Sequence, residues 1–185
     1  MGNFLRILLF FYPIISFSQS VEITDTPQEY IQHISKVWDV DQNKIVYITN
    51  QSTLDDLASV IHNSVLTFVA GELSTSAEIL DGRRIVNPKQ CGLALNNLDL
   101  ENIKKHLQKG NDYRKIQLKK AIDDTDYIFN NQLTTVLIYS KKLDFFMGDY
   151  FKVLKELSQR NVDYLIIIFD NEINNQIPNA LKSND

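Results

Sequence analysis

Two nearly unbroken apolar runs, Leu133–Tyr139 and Tyr164–Phe169, make the strongest pattern in the chain. Neither alternates apolar with polar positions, which is how strands buried on both faces read. Between them, Asp144 to Arg160 repeats at helical spacing, with Phe146, Tyr150, Val153, Leu154 and Leu157 forming one stripe. A connection of that length makes a right-handed crossover, so the two strands are expected to be parallel.

Earlier segments follow the same logic. Thr26-Pro27-Gln28-Glu29 is a capping box with proline at the first helical position, and it opens a helix that runs to about Trp38. Lys44–Thr49 and Val65–Ala70 read as strands, with a short helix capped by Ser52 between them. Ile79-Leu80 and Ile85-Val86 flank Asp81-Gly82, which predicts a small β-hairpin near residues 77–86. Asp99 caps a helix that ends at Gly110, and a further helix is expected over about Tyr113 to Asp123. After Asp170 the chain turns polar, and residues 170–185 are expected to fray. The fold class expected is α/β, with a mostly parallel central sheet flanked by helices.

The first residues belong to a different pattern. Arg6 precedes an apolar stretch from Ile7 to Ile15, and Ser16-Phe17-Ser18 spaces small residues as a signal peptidase requires. Residues 1–18 are therefore expected to be a signal peptide, cleaved before Gln19, with residues 19–185 as one α/β domain. The stretch is shorter than the roughly 20 residues a membrane span needs, and Pro13 interrupts it. The expected location is periplasmic or secreted, with no stable membrane span once the leader is gone.

Composition narrows the chemistry. The chain has 185 residues, 44% hydrophobic and 23% charged, which is the balance of a globular domain. Loss of Arg6 with the leader lowers the basic count from 19 to 18 against 23 acidic residues, so the net charge moves from −4 to −5. An acidic chain is not expected to bind nucleic acid. A single cysteine excludes an internal disulfide framework and a CxxC pair, so an exported chain of this kind depends on its core alone.

Few residues then carry candidate chemistry. Cys91 is the only thiol; as a nucleophile it would need a base such as His62 or His106, and otherwise it is a small buried or loop residue. His33, His62 and His106 fall on predicted helices without i, i+4 spacing, so no metal site is expected. GxSxG, a Gly-rich phosphate loop and GxGxxG are all absent, and no cofactor is expected. Lys104, Lys105, Lys109, Arg114, Lys115, Lys119 and Lys120 form a basic run across two predicted helices, either a stripe for an acidic partner or a solvated face. Open parallel sheets bind ligands at the carboxyl ends of their strands. Asn50, Ser140, Lys141 and Asp170 would gather there if their strands are neighbours.

Residues 134–170 resemble the first half of a thioredoxin-like domain of exported bacterial redox proteins. The resemblance is carried by Thr135-Val-Leu-Ile-Tyr-Ser140, the helix with Tyr150-Phe151-Lys152-Val-Leu-Lys-Glu-Leu157, and Tyr164-Leu-Ile-Ile-Ile-Phe-Asp170. It covers about a fifth of the chain, a unit that many α/β folds share. The family's CxxC falls at Lys141-Lys142-Leu143-Asp144, which has no sulfur, so no functional residue carries over. The resulting expectation is an exported, non-catalytic α/β module that binds a partner protein or small ligand. The alternatives are a thioredoxin-like enzyme using Cys91 alone, and a hydrolase using the Asp170 strand edge.

Overall fold

The computed structural model describes residues 23–49, 52, 65–77, 80, 99–109 and 113–182. Cys91, Asn50, His62, the leader at 1–18 and, apart from Ser52 itself, the short helix expected to follow Ser52 lie outside these residues.

Helix α1 (Pro27–Trp38) forms as its capping box predicts. The Thr26 hydroxyl accepts from the Glu29 amide, and the Glu29 carboxylate accepts from the Thr26 backbone N–H at 2.9 Å. Asp39 ends the helix in the left-handed region, with φ 51°. The strands are β1 (Ile45–Ile48), β2 (Leu66–Ala70), β3 (Leu73–Ser76), β4 (Gln108–Lys109), β5 (Leu118–Lys120), β6 (Asp126–Tyr127), β7 (Thr134–Tyr139) and β8 (Asp163–Ile168). They form one eight-stranded sheet in the order β4-β3-β2-β7-β8-β1-β5-β6. Further helices are α2 (Leu100–His106), α3 (Gly148–Ser158), α4 (Asn171–Asn174) and α5 (Ile177–Lys182).

The α/β class holds, and β7 and β8 are parallel, joined through α3. A mostly parallel sheet does not hold. Only β7–β8 and β8–β1 pair in parallel, and the other five pairings are antiparallel. The reason lies in the connections. Gly71 and Glu72 alone join β2 to β3, and residues 121–125 join β5 to β6; neither link is long enough for a crossover. Gly71 has φ +63°, which a side chain rarely adopts.

Three other expectations change. Residues 113–123 are not one helix: a 3-10 turn at Tyr113–Lys115 leads into β5, where Leu118 is buried against Ile48 of β1. The hairpin near 77–86 lies largely outside the described residues, and Ala77 and Leu80 are helical and buried. The hairpin that does form here is β2–β3. The tail beyond Asp170 does not fray through Lys182, because Ile173 and Ile177 join the core at 0% and 1% exposure.

The core has two sides. Ile45, Tyr47, Leu66, Phe68, Leu137, Tyr139, Ile166 and Ile168 face α1, α3, α4 and α5. Val46, Ile48, Val69, Val136, Leu165 and Ile167 face Tyr113, Ile116 and Phe129. The central strands are covered on both sides, which accounts for their unalternating sequences. No helix among the described residues is long and apolar enough to cross a membrane.

Candidate functional site

Parallel β7 and β8 end side by side, with the Phe169 N–H donating to the Tyr139 carbonyl at 2.8 Å. This brings Ser140, Lys141 and Asp170 together, as the strand-end argument expects. Asp170 is buried. Its Oδ1 accepts from the Ser140 hydroxyl at 2.6 Å, and its Oδ2 accepts from the Tyr30 hydroxyl at 2.6 Å and the Lys141 N–H at 2.8 Å. Burial, and then the hydrogen bond to Asp170, hold the Tyr30 phenol well above its ordinary pKa, so it stays a donor. The Lys141 ammonium pairs with Asp25.

A second carboxylate, Asp144, sits nearby and is not anticipated by the sequence as a site residue. It accepts from the Tyr139 hydroxyl at 2.8 Å, the Trp38 indole N–H at 3.1 Å and His33 Nε2 at 3.0 Å. Burial, then this hydrogen bond, raise the Tyr139 pKa as well. The Tyr30 and Tyr139 rings meet edge to face at 5.8 Å, so two tyrosine–carboxylate pairs stand back to back. Helix α1 supplies Tyr30, His33 and Trp38 at positions i, i+3 and i+8, along the side that faces the strand ends. The sequence signal for Asp144 was its place at the expected helix start. The helix instead begins at Gly148, and Asp144 falls inside a preceding 3-10 turn, Lys141–Phe146.

That turn is held at Lys141, Lys142 and Asp144, three of its six residues. Ser140 caps it by accepting from the Lys142 N–H at 3.3 Å. Lys142 Nζ pairs with Glu172 at 2.8 Å, which raises the lysine pKa and lowers the glutamate's. Yet the turn exposes Leu143, Phe146 at 61% and Phe145 at 92%, with the two phenyl rings 5.3 Å apart in T-shaped contact. Phe169 is half exposed at the end of β8.

Among the described residues at these strand ends, no hydroxyl faces a carboxylate that is free of other donors. Both carboxylates are engaged by hydroxyl and N–H donors, and the two phenols are donors to them. No group of three or more His, Cys, Asp or Glu side chains among the described residues is placed to hold a metal ion. His106 lies apart, its Nδ1 2.8 Å from the Asn102 carbonyl oxygen. The basic run does not form one helical stripe either. Lys104 and Lys105 are on α2, Lys109 on β4 and Lys119 and Lys120 on β5 near the opposite edge, while Arg114 pairs with Glu72 at 2.8 Å. No family model, curated protein or solved structure matches the chain.

Proposed function

We propose that the chain is an exported, non-catalytic module that binds a partner protein in the cell envelope or outside it, through the aromatic turn at 141–146. The observation that carries this reading is the combination of anchoring and exposure. Burying a phenylalanine contributes about 1.5–3 kcal/mol. Phe145 forgoes that contribution at 92% exposure, on a turn pinned by Ser140, Lys141, Lys142 and Asp144. Aromatic side chains dominate the energetics of interfaces, and a turn already held in one conformation loses little entropy on binding. The polar groups beneath the turn are occupied in holding it, which supports a positioning role for Asp144 and Asp170 over a hydrolytic one. Thioredoxin-like ancestry rests on β7–α3–β8 alone, and the binding role does not depend on it.

Export predicts a mature amino terminus at Gln19 in the fractionated protein. Wild-type chain immobilised from Gln19 onward should retain a partner from envelope extract. The F145S/F146S variant should lose that partner while keeping its melting temperature, because neither ring is in the core. Equal retention by the two proteins, or turnover of a thiol, ester or phosphate substrate by the wild type, would overturn the reading.

A further inference from the structure

A separate groove of about 380 Å³ runs between α1, the turn after β5 and α5. It exists because α5 packs on α1 through Ile177, so it is absent from any picture in which the tail frays. Ile31, Ile177 and Leu181 give it apolar walls, and Ile122 and Ala180 line it too. Three amides, Gln28, Gln32 and Gln42, supply most of its polar side chains, and Thr26, Pro27 and Ala121 make up the rest of the lining. In a chain with 23% charged residues, none of the eleven described residues that line it is charged. At roughly 30 Å³ per water in the liquid, the groove has room for on the order of a dozen waters, which is space for a small organic ligand.

We propose that this groove binds a small uncharged amphiphile, with a flat or branched apolar body and a carbonyl, hydroxyl or amide at one end. A charged ligand would lose its hydration against walls that offer no counter-charge, and that loss is costly. Glutamine amides carry both donors and acceptors, so they suit a neutral polar group of either kind. Concave, mainly apolar sites with a few polar groups are the usual form of small-molecule pockets. The site is distinct from the aromatic turn and does not depend on its having a partner.

The test uses N-phenylnaphthylamine, an uncharged dye that fluoresces in apolar surroundings, titrated against the whole protein. Wild type should bind it saturably. Ala180→Phe fills the groove from a half-buried position and should weaken binding about tenfold or more. Ala180→Leu should give an intermediate loss, and circular dichroism melts confirm that both variants fold. F145S/F146S should bind the dye as wild type does. No saturable binding by wild type, or unchanged binding by folded A180F, overturns the proposal. Loss of binding in F145S/F146S does so as well, because it places the dye on the aromatic turn.

Discussion

Asp170 shows how much one side chain does at the strand edge. It links the end of β8 to the start of the turn after β7 and to α1, through Ser140, the Lys141 amide and Tyr30. Asparagine at this position keeps the shape but turns one acceptor into a donor facing hydroxyl and N–H donors. Asp170→Asn is therefore expected to lower stability by about 2–3 kcal/mol, the scale of hydrogen bonds to a charged group. Tyr30→Phe removes one of the three partners and should cost about 1–1.5 kcal/mol. Urea unfolding measures both, and a D170N midpoint equal to wild type would show that the carboxylate holds nothing. The sequence places Ser140, Lys141 and Asp170 on this edge because strand ends can be read from apolar runs. It does not point to Tyr30, since the bond to Asp170 spans 140 residues.

Among the elements, connection length decides strand direction. The β7–α3–β8 unit is legible because its helix is both amphipathic and long enough to return the chain. The β2–β3 hairpin is not: Ala70-Gly71-Glu72-Leu73 lacks a common turn dipeptide, and the stronger Asp81-Gly82 signal drew the expected hairpin away from it. Gly71 at φ +63° is what lets the chain reverse there. A Cβ at this position would meet Asn131 Oδ1 at 2.7 Å, but that atom ends a flexible side chain and can move. The backbone strain remains, so Gly71→Ala should cost about 1–2 kcal/mol. Hydrogen exchange should localise the loss to β2 and β3, and uniform loss of protection over the whole sheet would contradict it. The segment 113–123 failed as a helix for a related reason. Its apolar and basic spacing suits a helix, but Leu118 finds its burial beside β1, and the Asp123–Thr125 turn sends the chain back as β6.

For the whole molecule, acid stability follows from carboxylates tied across elements. Asp124 closes the β5–β6 turn at φ 59° and accepts from the Tyr47 hydroxyl and from Lys119. Those bonds, Tyr47 first, hold its carboxyl below the ordinary 3.8. The folded protein then binds fewer protons than the unfolded chain in acid. The stabilisation is complete above about pH 4 and is lost as pH falls through the native value. Glu172 is lowered in the same sense by Lys142, and Glu29 by the Thr26 backbone N–H. Asn tolerates the left-handed region, so Asp124→Asn isolates the charge. Its urea midpoint should fall less steeply with acid than wild type does, and an unchanged slope would exclude Asp124 from the acid response.

The sequence alone determined where helix α1 begins, which strands are buried on both faces, the parallel direction of β7 and β8, and that Ser140, Lys141 and Asp170 lie at strand ends, whose meeting depended on the strands being neighbours. Each of these follows from side-chain spacing and short-range capping, which act within a few residues. Tertiary structure decided the antiparallel flanks of the sheet, the order of the tail helices, the Asp144 cluster and the groove behind α1. These depend on which distant surfaces cover one another. Ile173 and Ile177 are scattered apolar positions in a polar tail by their neighbours, and core residues only once the tail helices pack back on the sheet and α1.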